Sequence, residues 1–151
     1  MNWSSIIIFL LCITSLVNSF KLNPHAIFDA IQEENLNDIK HIIKNGGDMN
    51  QKNDKGYYPL WFACEKGNDE IVKLLIGNGK ADVNAKNGNR FQSALIPAAG
   101  KGFFSTVELL FQAGAEPTQE AYGLAVRKGH EDIVRCLGTL WWLFVDDRLD
   151  L

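Results

Sequence analysis

Tyr58-Pro59-Leu60-Trp61-Phe62-Ala63-Cys64-Glu65-Lys66-Gly67, followed by Ile71-Val72, Leu74-Leu75 and Ala81-Asp82-Val83-Asn84, decides the reading of this chain because the phrase is written twice. The second copy runs Ser93-Ala94-Leu95-Ile96-Pro97-Ala98-Ala99-Gly100-Lys101-Gly102, then Val107, Leu109-Leu110 and Gly114-Ala115-Glu116. Matching apolar pairs outward gives four units anchored at Ile42-Ile43, Leu74-Leu75, Leu109-Leu110 and Cys136-Leu137, at offsets of 32, 35 and 27 residues. The long offset holds extra residues at Gly79-Lys80-Ala81 and in the Asn87-Gly88-Asn89-Arg90-Phe91 loop. The short one lacks a loop, since Glu116-Pro117-Thr118-Gln119 runs straight into the next helix.

Each unit reads as two short antiparallel helices. Pro59 suits a first helical turn, where its missing N–H has no acceptor to lose. Gly67, Gly102 and Gly129 end the first helix, and Gly46, Gly79 and Gly114 close the second. Ile71, Val72, Leu74 and Leu75 are spaced too closely for a lone surface helix and suit one wedged between neighbours. A unit of this kind cannot bury its own apolar face, so the stack is the core and binding is the default function.

The phrase resembles the ankyrin repeat over about Asn23 to Leu140. That resemblance implies an all-α solenoid of stacked helix-turn-helix units with extended loop fingers, divided here at about 23–53, 54–86, 87–117 and 118–140. Where the family has threonine and histidine flanking Pro-Leu, this chain has Tyr58 and Trp61, Ser93 and Ile96, and Glu120 and Gly123. The tie those two side chains make between loop and helix is therefore expected to be missing as a pair. The first unit has Asn35 in place of the helix-breaking glycine and no Pro-Leu, as in a capping repeat.

The resemblance also implies that a protein partner lies in the concave groove made by the fingers and the exposed ends of the first helices. Carried onto this sequence, the finger positions are Asp54, Lys55 and Tyr57, then Asn89, Arg90, Phe91 and Gln92. The first-helix positions run Glu33-Glu34, Glu65-Lys66, Gly100-Lys101 and Arg127-Lys128, from acidic to basic. Such a gradient would orient a dipolar segment, although charged helix ends also serve simply to meet water. Tyr57 and Phe91 offer rigid contact area at small entropic cost, or pack against neighbouring loops.

Residues 1–19 differ in kind from the rest. They carry no charge, hold an apolar run from Ile6 to Leu16, and end Leu16-Val17-Asn18-Ser19. The pattern predicts a secretory signal cleaved between Ser19 and Phe20, leaving residues 20–140 as the repeat domain and 141–151 as a tail. A cytoplasmic location with an uncleaved N-terminus is the alternative. The net charge of −3 supplies no basic stripe, which excludes nucleic acid as the expected partner.

The tail Leu140-Trp141-Trp142-Leu143-Phe144-Val145 has three readings. The last helix extends and folds over the open end through Ile133, Leu137, Leu140, Trp141 and Phe144. Alternatively, Trp141 and Trp142 support self-association. Membrane contact ranks last, because the run is too short to span and Asp146-Asp147 follows it.

No constellation of catalytic residues, cofactor motif or metal-ligand spacing is present in the sequence, so an enzyme is not expected. His25, His41 and His130 are scattered, with His130 following Gly129 as a surface or turn-stabilising residue. Cys64 and Cys136 fall in units separated by a whole repeat, which predicts two buried free thiols rather than a disulfide. The function expected is a non-enzymatic, exported module that binds another protein. An inhibitory or effector protein acting on an intracellular target, and a fragment of a longer array, remain as alternatives.

Overall fold

The computed structural model describes residues 6–8, 25–87 and 93–146, with side chains described as far as residue 139. From residue 25 onward the described helices come in pairs: α1 (Ala26–Gln32) with α2 (Leu36–Lys44), and α3 (Pro59–Lys66) with α4 (Asp69–Gly77). They continue as α5 (Leu95–Lys101) with α6 (Phe104–Gln112), and α7 (Gln119–Lys128) with α8 (Glu131–Asp146). The first helices stack in one layer and the second helices in another, giving the all-α solenoid expected.

The local chemistry explains the pairing. Pro59 begins α3, and Gly67, Gly102 and Gly129 end α3, α5 and α7 in the left-handed conformation, with φ of 73°, 81° and 76°. Asn35 and Asn68 then cap the second helices, Asn35 accepting from the amides of Asn37 and Asp38 and Asn68 from that of Ile71. One continuous core follows, built from Ile27 and Ile31, Leu60 and Cys64, Ile71, Val72 and Leu75, Leu95 and Ala99, Val107 and Leu110, and Ile133 and Leu137.

Several expectations from sequence are corrected. The residue standing at the helix-breaking position of the first unit is Glu34, with φ of 54°, and not Asn35, whose φ is −84°. The first unit therefore aligns one residue earlier: Ile42 matches Leu75 at an offset of 33, and Gln32-Glu33 matches Glu65-Lys66. At the end of α4 the left-handed residue is Lys80, with φ of 53°, rather than Gly79. Gly79 is small for another reason, since a Cβ there would lie 2.6 Å from Met49 Cγ and 2.7 Å from the Leu75 carbonyl oxygen. The inserted residue is absorbed as a wider turn: Ala81 N–H reaches back six residues to the Leu75 carbonyl, where Gly47 and Ala115 reach back five to Ile42 and Leu110. Cys136 is half-buried, whereas Cys64 is fully buried, and both thiols are free.

Asparagines tie the loops of successive units together. Asn50 bridges to the next unit, its Oδ1 accepting from Asp82 N–H at 2.7 Å and its Nδ2 donating to the Lys80 carbonyl at 3.2 Å. Asn84 repeats the clamp on Glu116 N–H at 2.9 Å and the Gly114 carbonyl at 3.0 Å. Asn87, itself buried, accepts from Tyr58 N–H just ahead of α3. Each amide fills one donor and one acceptor that a loop would otherwise leave to water.

Candidate protein-binding face

The second finger is a tight hairpin organised by one side chain. Asn53 Oδ1 accepts from the amides of Lys55 and Tyr57, both at 3.0 Å, and Gly56 takes the left-handed turn with φ of 79°. The turn sets Tyr57 against α3, where its ring lies 4.2 Å from that of Trp61 at 31°. Beside this pair, Phe28 of α1 meets Phe62 of α3 edge-on at 6.4 Å. Finger and first helices together enclose a cleft of about 520 Å³. The four rings line it, with Asp54 and Lys55 on the finger side and Asp29 and Glu65 on the helix side. His25 also reaches it, its Nε2 lying 3.6 Å from Asp54 Oδ1.

Asp54, Lys55, Tyr57 and Glu65 thus line one cleft, while Tyr57 is partly spent on Trp61. Lys101 is engaged within the stack: its Nζ donates to the Glu65 carbonyl at 2.9 Å and lies 3.7 Å from Glu65 Oε1, joining α5 to α3. Lys66 is half-buried at the end of α3, and Arg127 and Lys128 are exposed at the end of α7, outside the cleft. With the register corrected, the charge row begins Gln32-Glu33, so it carries one acidic group there instead of two. Glu34 turns to Asn68, whose Nδ2 donates to Glu34 Oε2 at 3.1 Å. Asn89, Arg90, Phe91 and Gln92 lie outside the described residues, as do the Ser19–Phe20 junction and the side chains of Trp141 and Trp142.

Sequence reasoning missed Trp61, Phe28, Phe62, Asp29 and His25 as cleft residues. One signal was available: Trp61 is a large aromatic where the resemblance leads one to expect histidine.

Among the described residues, the two thiols are not set up as nucleophiles. Burial, and secondarily the Asp69 carboxylate, push the Cys64 thiol far above the usual thiol range. Burial and then Glu108 raise that of Cys136. A thiolate is disfavoured at both, which is the opposite of what a nucleophile needs. His130 acts between units, its Nε2 hydrogen-bonding the Gly100 carbonyl oxygen at 3.3 Å, as a turn-stabilising residue would. Among the described residues, no three His, Cys, Asp or Glu side chains come together as a metal would require, and no helix is long and apolar enough to cross a membrane.

The family model for ankyrin repeats in three copies matches residues 27–121. The chain belongs to the ankyrin-repeat family. Its ankyrin stack is 37% identical over 87 residues to alpha-latroinsectotoxin-Lt1a of Latrodectus tredecimguttatus, covering 58% of this chain and 6% of the toxin. It is 30% identical over 108 residues to the ankyrin repeat domain-containing protein oryK of Aspergillus oryzae, covering 71% of this chain and 16% of that protein. Over 62 residues it is 37% identical to human protein phosphatase 1 regulatory subunit 27, covering 41% of this chain and 40% of the subunit. The chain therefore spans a small part of the length of these relatives. Ankyrin repeats are interaction modules, and protein binding is the function this stack supports.

Proposed function

We propose that the chain is an exported, non-enzymatic ankyrin protein that binds a protein partner in its concave face, centred on the cleft between the second finger and helices α1 and α3. The observation that carries this reading is the stacked Tyr57–Trp61 pair flanked by charged groups, an aromatic anchor with a polar rim. Contacts extend from Asp54, Lys55, Tyr57, Glu65 and Lys66 through the third finger, Asn89 to Gln92, to Lys101, Arg127 and Lys128. Export rests on the apolar segment at residues 6–16 and is supported by similarity to proteins named as toxins. Similarity to a phosphatase regulatory subunit supports a second reading, in which the bound partner is an enzyme whose activity the chain adjusts.

Affinity capture from the native source tests the concave face. A protein retained by the wild type and by Lys73→Glu, on the second-helix layer, should be lost with Tyr57→Ala, its Kd rising at least about tenfold. Retention unchanged by Tyr57→Ala and by Arg127→Glu with Lys128→Glu would sink the reading. N-terminal sequencing of the native protein tests export, with Phe20 expected first and an intact Met1 against it.

A further inference from the structure

The cleft beside the second finger has an aromatic floor and an acidic rim. The stacked rings of Tyr57 and Trp61 and the edge-on pair of Phe28 and Phe62 supply the floor. Around them stand three carboxylates, Asp29, Asp54 and Glu65, against the single ammonium of Lys55. Part of the negative charge is already met, since Asp54 lies 3.6 Å from His25 Nε2 and Glu65 lies 3.7 Å from Lys101 Nζ. Asp54 nevertheless stays 91% exposed. Asp29, exposed on α1, has no ion pair among the described residues, and Lys55 pairs with none of the three acids. Lys52 Nζ lies 5.0 Å over the ring of Tyr58, outside the cleft, so among the described residues the rings of the cleft itself hold no cation.

We propose that this cleft takes an arginine side chain of the protein partner, its guanidinium lying on the aromatic floor and facing Asp29 and Asp54. The proposal rests on the reading of the concave face as the binding face and adds the chemistry of what enters it. Ring faces are negative and attract a cation within about 6 Å of their centroids. The carboxylates attract the same cation from the rim, more strongly as water leaves the cleft. A neutral side chain would use the floor but desolvate the acids without return, and an anionic one would be repelled. Arginine fits better than lysine because its guanidinium is planar, weakly hydrated and forked, so it can stack on a ring while its edge hydrogen-bonds a carboxylate. The finger is set before the partner arrives, since Asn53 holds the amides of Lys55 and Tyr57 on either side of the turn.

Titration of the isotope-labelled full chain with the peptide acetyl-Gly-Gly-Arg-Gly-Gly-amide, followed by NMR, tests the proposal. Amides of α1 and of the second finger should shift, together with the indole N–H of Trp61. The citrulline peptide, alike in shape but uncharged, should bind at least about tenfold more weakly, with the lysine peptide between the two. Asp29→Asn combined with Asp54→Asn should weaken the arginine peptide at least about tenfold. Both side chains are exposed, so the spectrum away from the cleft should not change, and Lys73→Glu on the second-helix layer should leave binding as it was. No binding of the arginine peptide, equal binding of arginine and citrulline, indifference to the two Asp→Asn changes, or shifts confined to another face overturns the proposal. So does tighter binding by Lys21→Ala or Arg90→Ala, which would put a cation of the chain itself in the cleft. A native partner lost with Tyr57→Ala yet kept with Asp29→Asn and Asp54→Asn leaves the concave-face reading standing and removes the arginine. Peptide binding as expected, with a native partner indifferent to Tyr57→Ala, keeps the arginine preference of the cleft and overturns the concave-face reading for that partner.

Discussion

At the N-terminal end of the stack Asp38 is exposed at the register position where Ile71, Thr106 and Ile133 are buried, whereas at the C-terminal end Tyr122 and Val126 are exposed where earlier units bury Leu60 and Cys64, or Leu95 and Ala99. Asp29, exposed on α1, likewise stands where α3 carries Phe62 and α7 carries Leu124, both half-buried. One end has polar groups at the positions its neighbours use for packing; the other keeps apolar residues at those positions, exposed among the described residues. Among the described residues, the first unit has a polar face of the kind that water can wet.

The contrast can be broken most severely by giving an inner unit the side chain of the terminal one. Ile71→Asp places a carboxylate in the core and should cost about 4 kcal/mol or more, read from urea denaturation. Asp38→Ile, the reverse exchange at the wet end, should cost no more than about 1 kcal/mol, much of it from losing the 2.7 Å hydrogen bond between Asn35 Nδ2 and Asp38 Oδ2. Equal losses from the two changes would mean that the ends and the interior do not differ as described.

The closing glycines separate backbone strain from packing. Gly102→Ala meets both a positive φ and the His130 ring and should cost about 3 kcal/mol, whereas Gly129→Ala, with similar φ and no described atom within 4 Å, should cost only about 1 kcal/mol. Thermal denaturation of the pair gives the difference directly.

Cys64 and Val126 occupy one register position, so thiol chemistry probes the same contrast. Cys64 should resist a thiol reagent in the folded chain, while the thiol of a Val126→Cys variant should react at least about a hundredfold faster. The raised Cys64 value also fixes a pH dependence. The unfolded thiol ionises near its ordinary value while the folded one stays protonated, so this contribution to stability is intact below about pH 8.5. It is lost as pH rises beyond that, at up to about 1.4 kcal/mol per unit. Cys64→Ala should flatten that slope in urea titrations between neutral and alkaline pH. The smallest change expected is a gain: Glu34→Gly relieves a left-handed non-glycine residue and should stabilise by about 0.5–1 kcal/mol, net of the lost bond to Asn68.

Most of the architecture was legible in the sequence because its signals are local. Pro59, the closing glycines and the paired apolar residues each dictate conformation within a turn or two, and together they set helix pairs and stack order. The misjudged details are those where two local solutions compete. Glu34 and Asn35 are both tolerable at the end of α1, and the choice follows from Asn35 being the better cap for α2. Lys80 takes the left-handed turn because Gly79 is needed against Met49, a contact from another unit that spacing alone does not display. The candidate site was half legible for the same reason. Asp54, Lys55 and Tyr57 follow from finger position, but the cleft floor depends on Phe62 and Phe28 meeting across units, and the ties to Lys101 and Asn84 are likewise non-local.

Hydrogen exchange in two second helices at the same register tests the contrast most directly. Amides of α4, around the buried Ile71, should be protected well beyond those of α2, around the exposed Asp38. Equal protection in α2 and α4 would contradict an inner unit packed on both faces beside a first unit with a polar one.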